Sequence, residues 1–231
     1  MINIAQWDTD NFGIKIGNLI IEDEVSQYAL QKEIEYAKSL GYELLYLKGL
    51  TLPEDCISEN VVLADEKVEY VITTDGRDYK KDKHVKSILH SQISEKLLDL
   101  AFESGTFSRY KVDQKMPRSV FKTLYRIWIT NSLNETISTD VLAYLEDGQP
   151  LGILTYKQGA EKVTIGLIAV DKQNAAKGIG TKLMQTFLSK FPIGTLIEVA
   201  TQKRNFIACH YYEKNGFRIN SITNIYHIWV K

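Results

Sequence analysis

The stretch VTIGLIAVDKQNAAKGIG, residues 163–180, decides how the rest of the chain is read. It opens as an apolar run rich in β-branched side chains, the mark of a buried strand. Lys177-Gly178-Ile179-Gly180 begins seven residues after Val170, and Leu183, Met184, Phe187, Leu188 and Phe191 then recur in a helical pattern. Strand, glycine-containing turn and helix together aim backbone N–H groups and a helix N-terminus at one point, which is how a phosphate is held. Glycines belong there because a pyrophosphate reaches the backbone closely only where no Cβ intervenes. Lys177 and Lys182 add positive charge beside the turn. Taken alone, the same pattern also describes an ordinary tight turn, and the flanking elements have to separate the two.

Composition narrows the field. At 231 residues, 44% apolar and 25% charged, the chain has the make-up of a soluble globular protein, long enough for one large domain or two small ones. A net charge of −1 implies neither a nucleic-acid partner nor an anionic membrane surface. No apolar run approaches the length of a membrane span and residues 1–10 show no export signal, so the cytoplasm is the expected compartment. Cys56 and Cys209 form neither a disulfide framework nor a zinc spacing and read as small buried hydrophobes. His84, His90, His210 and His227 lack metal-ligand spacing and read as structural or surface residues, so no metal is expected.

Residues 1–12 read as a short apolar segment running into a polar turn through Asp8, Asp10, Asn11 and Gly13, with a strand over 14–21. Over 25–40, Tyr28, Leu30, Ile34, Ala37 and Leu40 form an amphipathic helix that Gly41 ends. A strand over 42–47 completes a small β-α-β unit; 61–64 and 68–73 read as two more short strands, with Asp65 and Glu66 between them. The polar, glycine-containing stretch 74–86 is the best boundary, dividing an N-terminal α/β domain at 1–78 from a second domain at 79–231. Beyond it lie a helix over 88–102 and a loop over 103–116 carrying Phe107, Arg109, Tyr110 and Asp113. A helix opened by Pro117 follows, with Tyr125 and Trp128 as core residues. Strands over 141–145 and 151–156 flank an Asp147-Gly148 hairpin turn. A strand over 194–200, a helix over 205–214 ended by Gly216, and an alternating terminal strand over 225–230 complete the chain.

Onto this order falls Asn205-x-x-Ala208-x-x-x-Tyr212-Glu213-Lys214-x-Gly216-Phe217, which resembles the closing motif of the GCN5-related N-acetyltransferases. The cofactor loop of those enzymes reads Val-x-x-x-x-Gln/Arg-Gly-x-Gly-x-Gly/Ala. Here Val170, Lys177, Gly178, Ile179 and Gly180 match it, while Ala175 stands for Gln or Arg and Ala176 for Gly. These two departures imply an altered grip on the cofactor rather than its loss. Trp7 with Asn11-Phe12-Gly13, Phe107-Ser108-Arg109-Tyr110 with Trp128, and Val199-Ala200-Thr201-Gln202-x-x-Asn205 resemble, more narrowly, the bacterial TDP-fucosamine acetyltransferases. The resemblance implies a mixed, mostly antiparallel α/β (α+β) sheet flanked by helices, with a smaller α/β domain ahead of it. It also implies acetyl-CoA as co-substrate and a dTDP-linked amino-deoxy sugar as acceptor, for surface-polysaccharide synthesis.

The same resemblance assigns roles by position. The strand from Gly166 would splay from its neighbour at 196–200, so that the pantetheine arm bonds to backbone at Leu167, Ile168, Ala169 and Val170. The turn Ala175, Ala176, Lys177, Gly178, Ile179, Gly180 and Thr181 would cradle the pyrophosphate. Asn205 would cap its helix and touch the cofactor. Tyr212, protonated at neutral pH, would give a proton to the leaving thiolate; the alternative is a core tyrosine, as Tyr211 reads. A base for the amine is Asp65 or Glu66, or ordered water, the alternative for both carboxylates being turn residues. Arg109 suits a diphosphate by bidentate bonding and Tyr110 suits stacking, against a surface Arg and a buried Tyr. A peptide or small-amine acceptor and a non-catalytic acyl-CoA sensor stand as rival functions. Homodimerisation, common in the family, is expected through an exposed edge at 225–230.

Overall fold

Among the described residues, 1–21 and 25–230 of this computed structural model, the β-branched and aromatic runs form ten strands in one sheet. In chain order these elements are β1 (Ile2–Ile4), α1 (Gln6–Phe12), β2 (Ile16–Leu19), α2 (Gln27–Ser39), β3 (Leu44–Lys48) and β4 (Val61–Thr73). Then come β5 (Val85–Ser87), α3 (Glu95–Ser104), α4 (Arg109–Val112), α5 (Arg118–Leu133), β6 (Asp140–Glu146) and β7 (Gln149–Gln158). The chain continues with β8 (Val163–Val170), α6 (Ile179–Leu188), β9 (Leu196–Gln202), α7 (Phe206–Lys214) and β10 (Arg218–Trp229). Across the sheet the order is β1-β2-β3-β10-β4-β9-β8-β7-β6-β5, and the pairing is antiparallel except at β2–β3 and β8–β9. This is the mixed, mostly antiparallel α/β arrangement that the resemblance implied.

Helices cover both faces because each strand alternates apolar side chains. Leu183, Met184 and Phe187 of α6 pack with Tyr70, Tyr156, Ile165, Val199 and Tyr212, while Leu97, Leu100, Phe121, Tyr125 and Ile129 of α3 and α5 close the other face over Val141, Ile153 and Leu167. Toward β1, Leu30 and Ala37 of α2 cover Leu45, Leu47 and Ile228, and Phe12, Met116 and Val120 cover Tyr46 and Trp229.

Several local expectations change. Residues 6–12 form a helix, not a polar turn: Gln6 Nε2 donates to Asp10 Oδ1 at 2.7 Å, Asn11 Nδ2 to the Trp7 carbonyl at 2.8 Å, and Gly13 takes the left-handed φ of +73° that ends it. The helix expected from residue 88 starts only at Glu95, where the Ser94 hydroxyl accepts from the Leu97 N–H. The loop over 103–116 contains one helical turn, α4. The two short strands at 61–64 and 68–73 are one strand, β4: Asp65 and Glu66 stay in the ladder because β10 pairs along that edge, and the extra residue Ala64 is absorbed as a bulge between Ile225 and Tyr226. Finally, 225–230 offers no free edge to a second copy, because β10 pairs with β3 on one side and β4 on the other. The part of that strand expected at 225 begins as early as Arg218.

The boundary drawn at 78/79 falls in the connection from β4 to β5, yet the sheet runs across it, with β4 lodged between β9 and β10. Thr74 is buried there and its hydroxyl donates to the Pro192 carbonyl at 2.5 Å. A chain reduced to 79–231 would leave β9 and β10 facing unpaired edges. We expect that fragment to show no cooperative thermal transition by circular dichroism, whereas the full chain shows one; a cooperative fragment would establish 79–231 as a self-sufficient domain.

Candidate active site

The turn at 170–180 has the geometry of an anion site. Strand β8 pairs with β9 only from Val163 to Ile165, opposite Ile197 to Val199, after which the two parallel strands part. A bulge makes the break. Between the Leu154–Ile168 and Tyr156–Ile165 pairs, Thr155 faces two residues, and its hydroxyl accepts from the Leu167 N–H at 2.8 Å. A Cβ on Gly166 would stand 2.7 Å from that hydroxyl, so only glycine fits. The bulge also reverses the alternation: Val163 and Ile165 pack under α6, whereas Leu167 and Ala169 pack under α3 and α5. Ile168 and Val170 thereby line the α6 side of the opened cleft.

Beyond β8, the α6 helix begins at Ile179 with no side-chain cap, and its first intrahelical bond runs from the Lys182 N–H to the Gly178 carbonyl at 3.0 Å. The N–H groups of Ile179, Gly180 and Thr181 therefore lack intrahelical acceptors at the positive end of the helix. Ala175, Ala176, Lys177 and Gly178 are exposed in front of them. Ala176 and Gly178 have φ of +63° and +77°. For alanine that conformation costs about 1–2 kcal/mol, strain kept at the position where the family loop carries glycine. Lys177 Nζ reaches back to Asn174 Oδ1 at 2.8 Å, and Lys182 is engaged by Asp82 at 3.4 Å.

Beyond β9, Asn205 caps α7 by accepting from the Ala208 N–H at 3.2 Å. Tyr212, on the face of α7 toward the sheet, is 2% exposed and lies 5.5 Å from the Tyr70 ring and 5.7 Å from Phe217. Burial, reinforced by Cys209, pushes its phenol well above the usual value, so it is protonated. Tyr211 donates to the Gly180 carbonyl at 2.7 Å and so ties α7 to the start of α6.

The second group of expected residues gathers on the opposite face of the sheet, where β4, β10 and β3 run beneath α1, α4 and α5. Asp65 is 5% exposed, and burial lifts its carboxyl to about 6 although Arg204 and Arg109 pull it down. Arg204 is held beside it by donating to the Ala64 carbonyl at 2.9 Å. Glu66 points the other way along β4 and pairs with Lys203 at 2.6 Å. The Arg109 guanidinium lies 4.4 Å from the Tyr46 ring and 4.7 Å from the Tyr110 ring and donates to the Tyr110 hydroxyl. Burial opposes its charge, but Tyr110, Tyr46 and Asp8 keep it protonated, and no carboxylate among the described residues closes an ion pair with it. The Asp8 carboxylate, raised by burial, approaches the Tyr46 hydroxyl without closing a hydrogen bond of good geometry.

Around this one cation stand the buried side-chain polar atoms without partners among the described residues: Tyr46 Oη, Asp65 Oδ1, Ser108 Oγ and His227 Nε2. Each such atom costs about 1–3 kcal/mol, so their concentration at one place calls for a functional reason. Sequence reading missed Tyr46, Ser108 and His227. His227 was read as structural or surface, but its ring is fully buried and Nδ1 lies 2.6 Å from Asp113 Oδ2. A single histidine in an alternating strand carries no signal of this, since Asp113 comes from a loop more than a hundred residues away. Two clefts, of about 440 and 400 Å³, lie apart from both groups, one against α2 and one beside Arg77.

A parted parallel pair lies beside an uncapped helix N-terminus and a buried tyrosine on the closing helix, the arrangement that the resemblance to the GCN5-related N-acetyltransferases implied. The chain belongs to the acetyltransferase (GNAT) family, whose model matches residues 95–217. It is 26% identical over 138 residues to the spore coat polysaccharide biosynthesis protein SpsD of Bacillus subtilis (strain 168), a match covering 59% of this chain and 47%, about half, of that relative. Its fold is similar to a conserved protein of unknown function from Staphylococcus epidermidis, with a TM-score of 0.65 at 13% identity over 94% of this chain and 84% of that one. It is also similar to a GCN5-related N-acetyltransferase from Sphaerobacter thermophilus, with a TM-score of 0.56 at 12% identity over 88% and 67%. No helix among the described residues is long and apolar enough to cross a membrane.

The raised carboxyl of Asp65 has a measurable consequence. Between about pH 4 and 6 the folded state holds a proton there that the unfolded state has lost, so stability falls as pH rises through that window. At about 1.4 kcal/mol per unit the loss is at most about 3 kcal/mol. Asp65→Asn is expected to match the wild type near pH 4 and to exceed it by about 2–3 kcal/mol at pH 7 in urea unfolding. A difference independent of pH would show that Asp65 is not desolvated.

Proposed function

We propose that the protein transfers the acetyl group of acetyl-CoA to the amine of a dTDP-linked amino-deoxy sugar. Acetyl-CoA, when bound, supplies a thioester carbonyl as the electrophile. The unpaired N–H groups of Ile179, Gly180 and Thr181, with exposed backbone at Ala175, Ala176, Lys177 and Gly178, suit its pyrophosphate. The parted edge at Leu167, Ile168, Ala169 and Val170 suits its extended arm, and Asn205 borders the same cleft. Asp65, ionised above about pH 6, takes the proton that the acceptor amine loses as its nitrogen bonds to the carbonyl carbon. Tyr212 gives its proton to the sulfur as the carbon–sulfur bond breaks, leaving amide and free thiol.

The observation that carries the acceptor assignment is the Arg109 guanidinium, half-buried between Tyr46 and Tyr110 with no carboxylate in an ion pair with it. A half-buried cation left without an ion pair in the resting protein suits an anionic acceptor such as a sugar-linked diphosphate. A relative that takes part in spore coat polysaccharide biosynthesis supports a sugar as that acceptor.

The test is thiol release from acetyl-CoA with a panel of dTDP-amino sugars, small amines and a peptide. Turnover confined to a dTDP-amino sugar is expected, and turnover with peptide or polyamine alone would discard the sugar acceptor. In the same assay Tyr212→Phe is expected to lower kcat about 10²-fold or more with acetyl-CoA affinity nearly unchanged. Undiminished kcat would remove Tyr212 from the mechanism, and acetyl-CoA binding without any turnover across the panel would favour a sensor.

A further inference from the structure

The acetyl-transfer roles give no part to α3. That helix packs Leu97, Leu100 and Ala101 in the same cluster as Leu167 and Ala169 of β8. Its polar side reaches the two residues that follow β8. Lys96 pairs with Asp171, and Lys172 Nζ lies 2.9 Å from Glu103 Oε2. Lys96 and Glu103 are seven residues apart, close to two helical turns, so both stand on one face of α3. Two ion pairs of opposite sense thus run from one helix to consecutive residues at the root of the 170–180 turn. Asp171 is the hub of that root. Its Oδ2 takes Lys96 Nζ and, at 3.4 Å, Asn174 Nδ2; its Oδ1 accepts from the Gln173 N–H at 3.0 Å. Its carbonyl accepts from the Asn174 N–H at 2.8 Å, and the Ala175 N–H donates to the Lys172 carbonyl at 3.3 Å. These bonds deliver the chain to Ala176 in its left-handed conformation, just ahead of the uncapped start of α6. Lys96 and the Gln173 N–H hold the Asp171 carboxyl below its usual range, so it is charged.

We propose that Lys96 and Asp171 are positioning residues for coenzyme A: their ion pair holds 171–174 folded, so that the strained residues beyond present their N–H groups to the diphosphate ready-made. The inference rests on the reading of this turn as the coenzyme A site and deepens it. Lys96 acts at one remove, through Asp171, and touches no ligand itself. This chain has Ala175 and Ala176 where the family loop has a side-chain donor and a glycine, so the turn cannot rely on either and its shape is imposed from α3. With the pair broken, the backbone is free to leave the left-handed geometry and has to be fixed again as the ligand binds. Fixing the backbone of a single residue at that moment costs roughly tenfold in affinity.

The experiment is calorimetric binding of coenzyme A to the full chain as wild type, Asp171→Asn, Lys96→Met, the double variant and Lys96→Arg, with the thermal unfolding of each followed by circular dichroism. Asp171→Asn separates position from charge. It removes a negative charge beside a diphosphate site, so electrostatics alone would tighten binding. The amide has one acceptor oxygen where the carboxylate has two, so Lys96 and the Gln173 N–H cannot both be served, and a positioning role weakens binding. Affinity is expected to fall about tenfold in Asp171→Asn and in Lys96→Met, no further in the double variant, and to return close to the wild-type value in Lys96→Arg. The unfolding midpoints are expected to move by only a few degrees. Unchanged or tighter binding by either single variant, or recovery of affinity in the double variant, would overturn the inference and leave the coenzyme A reading standing. A loss of affinity that comes only with a large fall in midpoint would overturn it too, since the pair would then hold the fold and not the turn. No coenzyme A binding by the wild type would overturn both.

Discussion

Backbone pairing along both edges of β4 is the constraint on which the molecule depends. That strand joins β9 to β10 through antiparallel ladders, so residues from the first third of the chain sit beside the last third. Through it the cleft between β8 and β9 and the polar group around Arg109 belong to one rigid sheet. Asp65 is the joint: it lies two residues beyond the Lys67–Gln202 pair that ends the β4–β9 ladder, at the same end of the sheet where β8 and β9 have parted. A carboxylate held on a loop would wander, whereas one held in a ladder keeps its distance to both groups.

The two halves of the site store their strain differently. At the β8–β9 cleft it is conformational: Ala176 in a left-handed geometry, Gly166 pressed against Thr155, and helical N–H groups without intrahelical acceptors. Around Arg109 it is electrostatic: a carboxyl lifted by burial, a cation closing no ion pair, and hydroxyl and imidazole atoms without partners among the described residues. Such features destabilise the free protein, and the apolar packing of four clusters offsets them. They gather at two places on one sheet, the turn before α6 and the group around Arg109.

Much of this was legible in the sequence because it depends on near neighbours. The alternation of 163–170, the Asp147-Gly148 turn, whose residues both have positive φ, and the Gly178 position before α6 are local matters of sterics and periodicity. They determined the strand–turn–helix, and with the spacing to Tyr212 they pointed to the acetyltransferase fold. Arg109, Tyr110 and Asp65 were singled out by residue type and likeness, and the structure brings them together.

What only the tertiary structure decided is whatever depends on partners far apart in the chain. Strand β4 was read as two pieces because charged residues look like a break, and the edges of β9 and β10 override that by pairing with the backbone regardless of side chain. The terminal strand looked like an edge, and its position between β3 and β4 is a property of topology alone. His227 joined Asp113 across 114 residues, and Tyr46 met Arg109 from another strand. Local propensity is written residue by residue, but burial, charge pairing and pKa arise from groups that meet only once the sheet has closed.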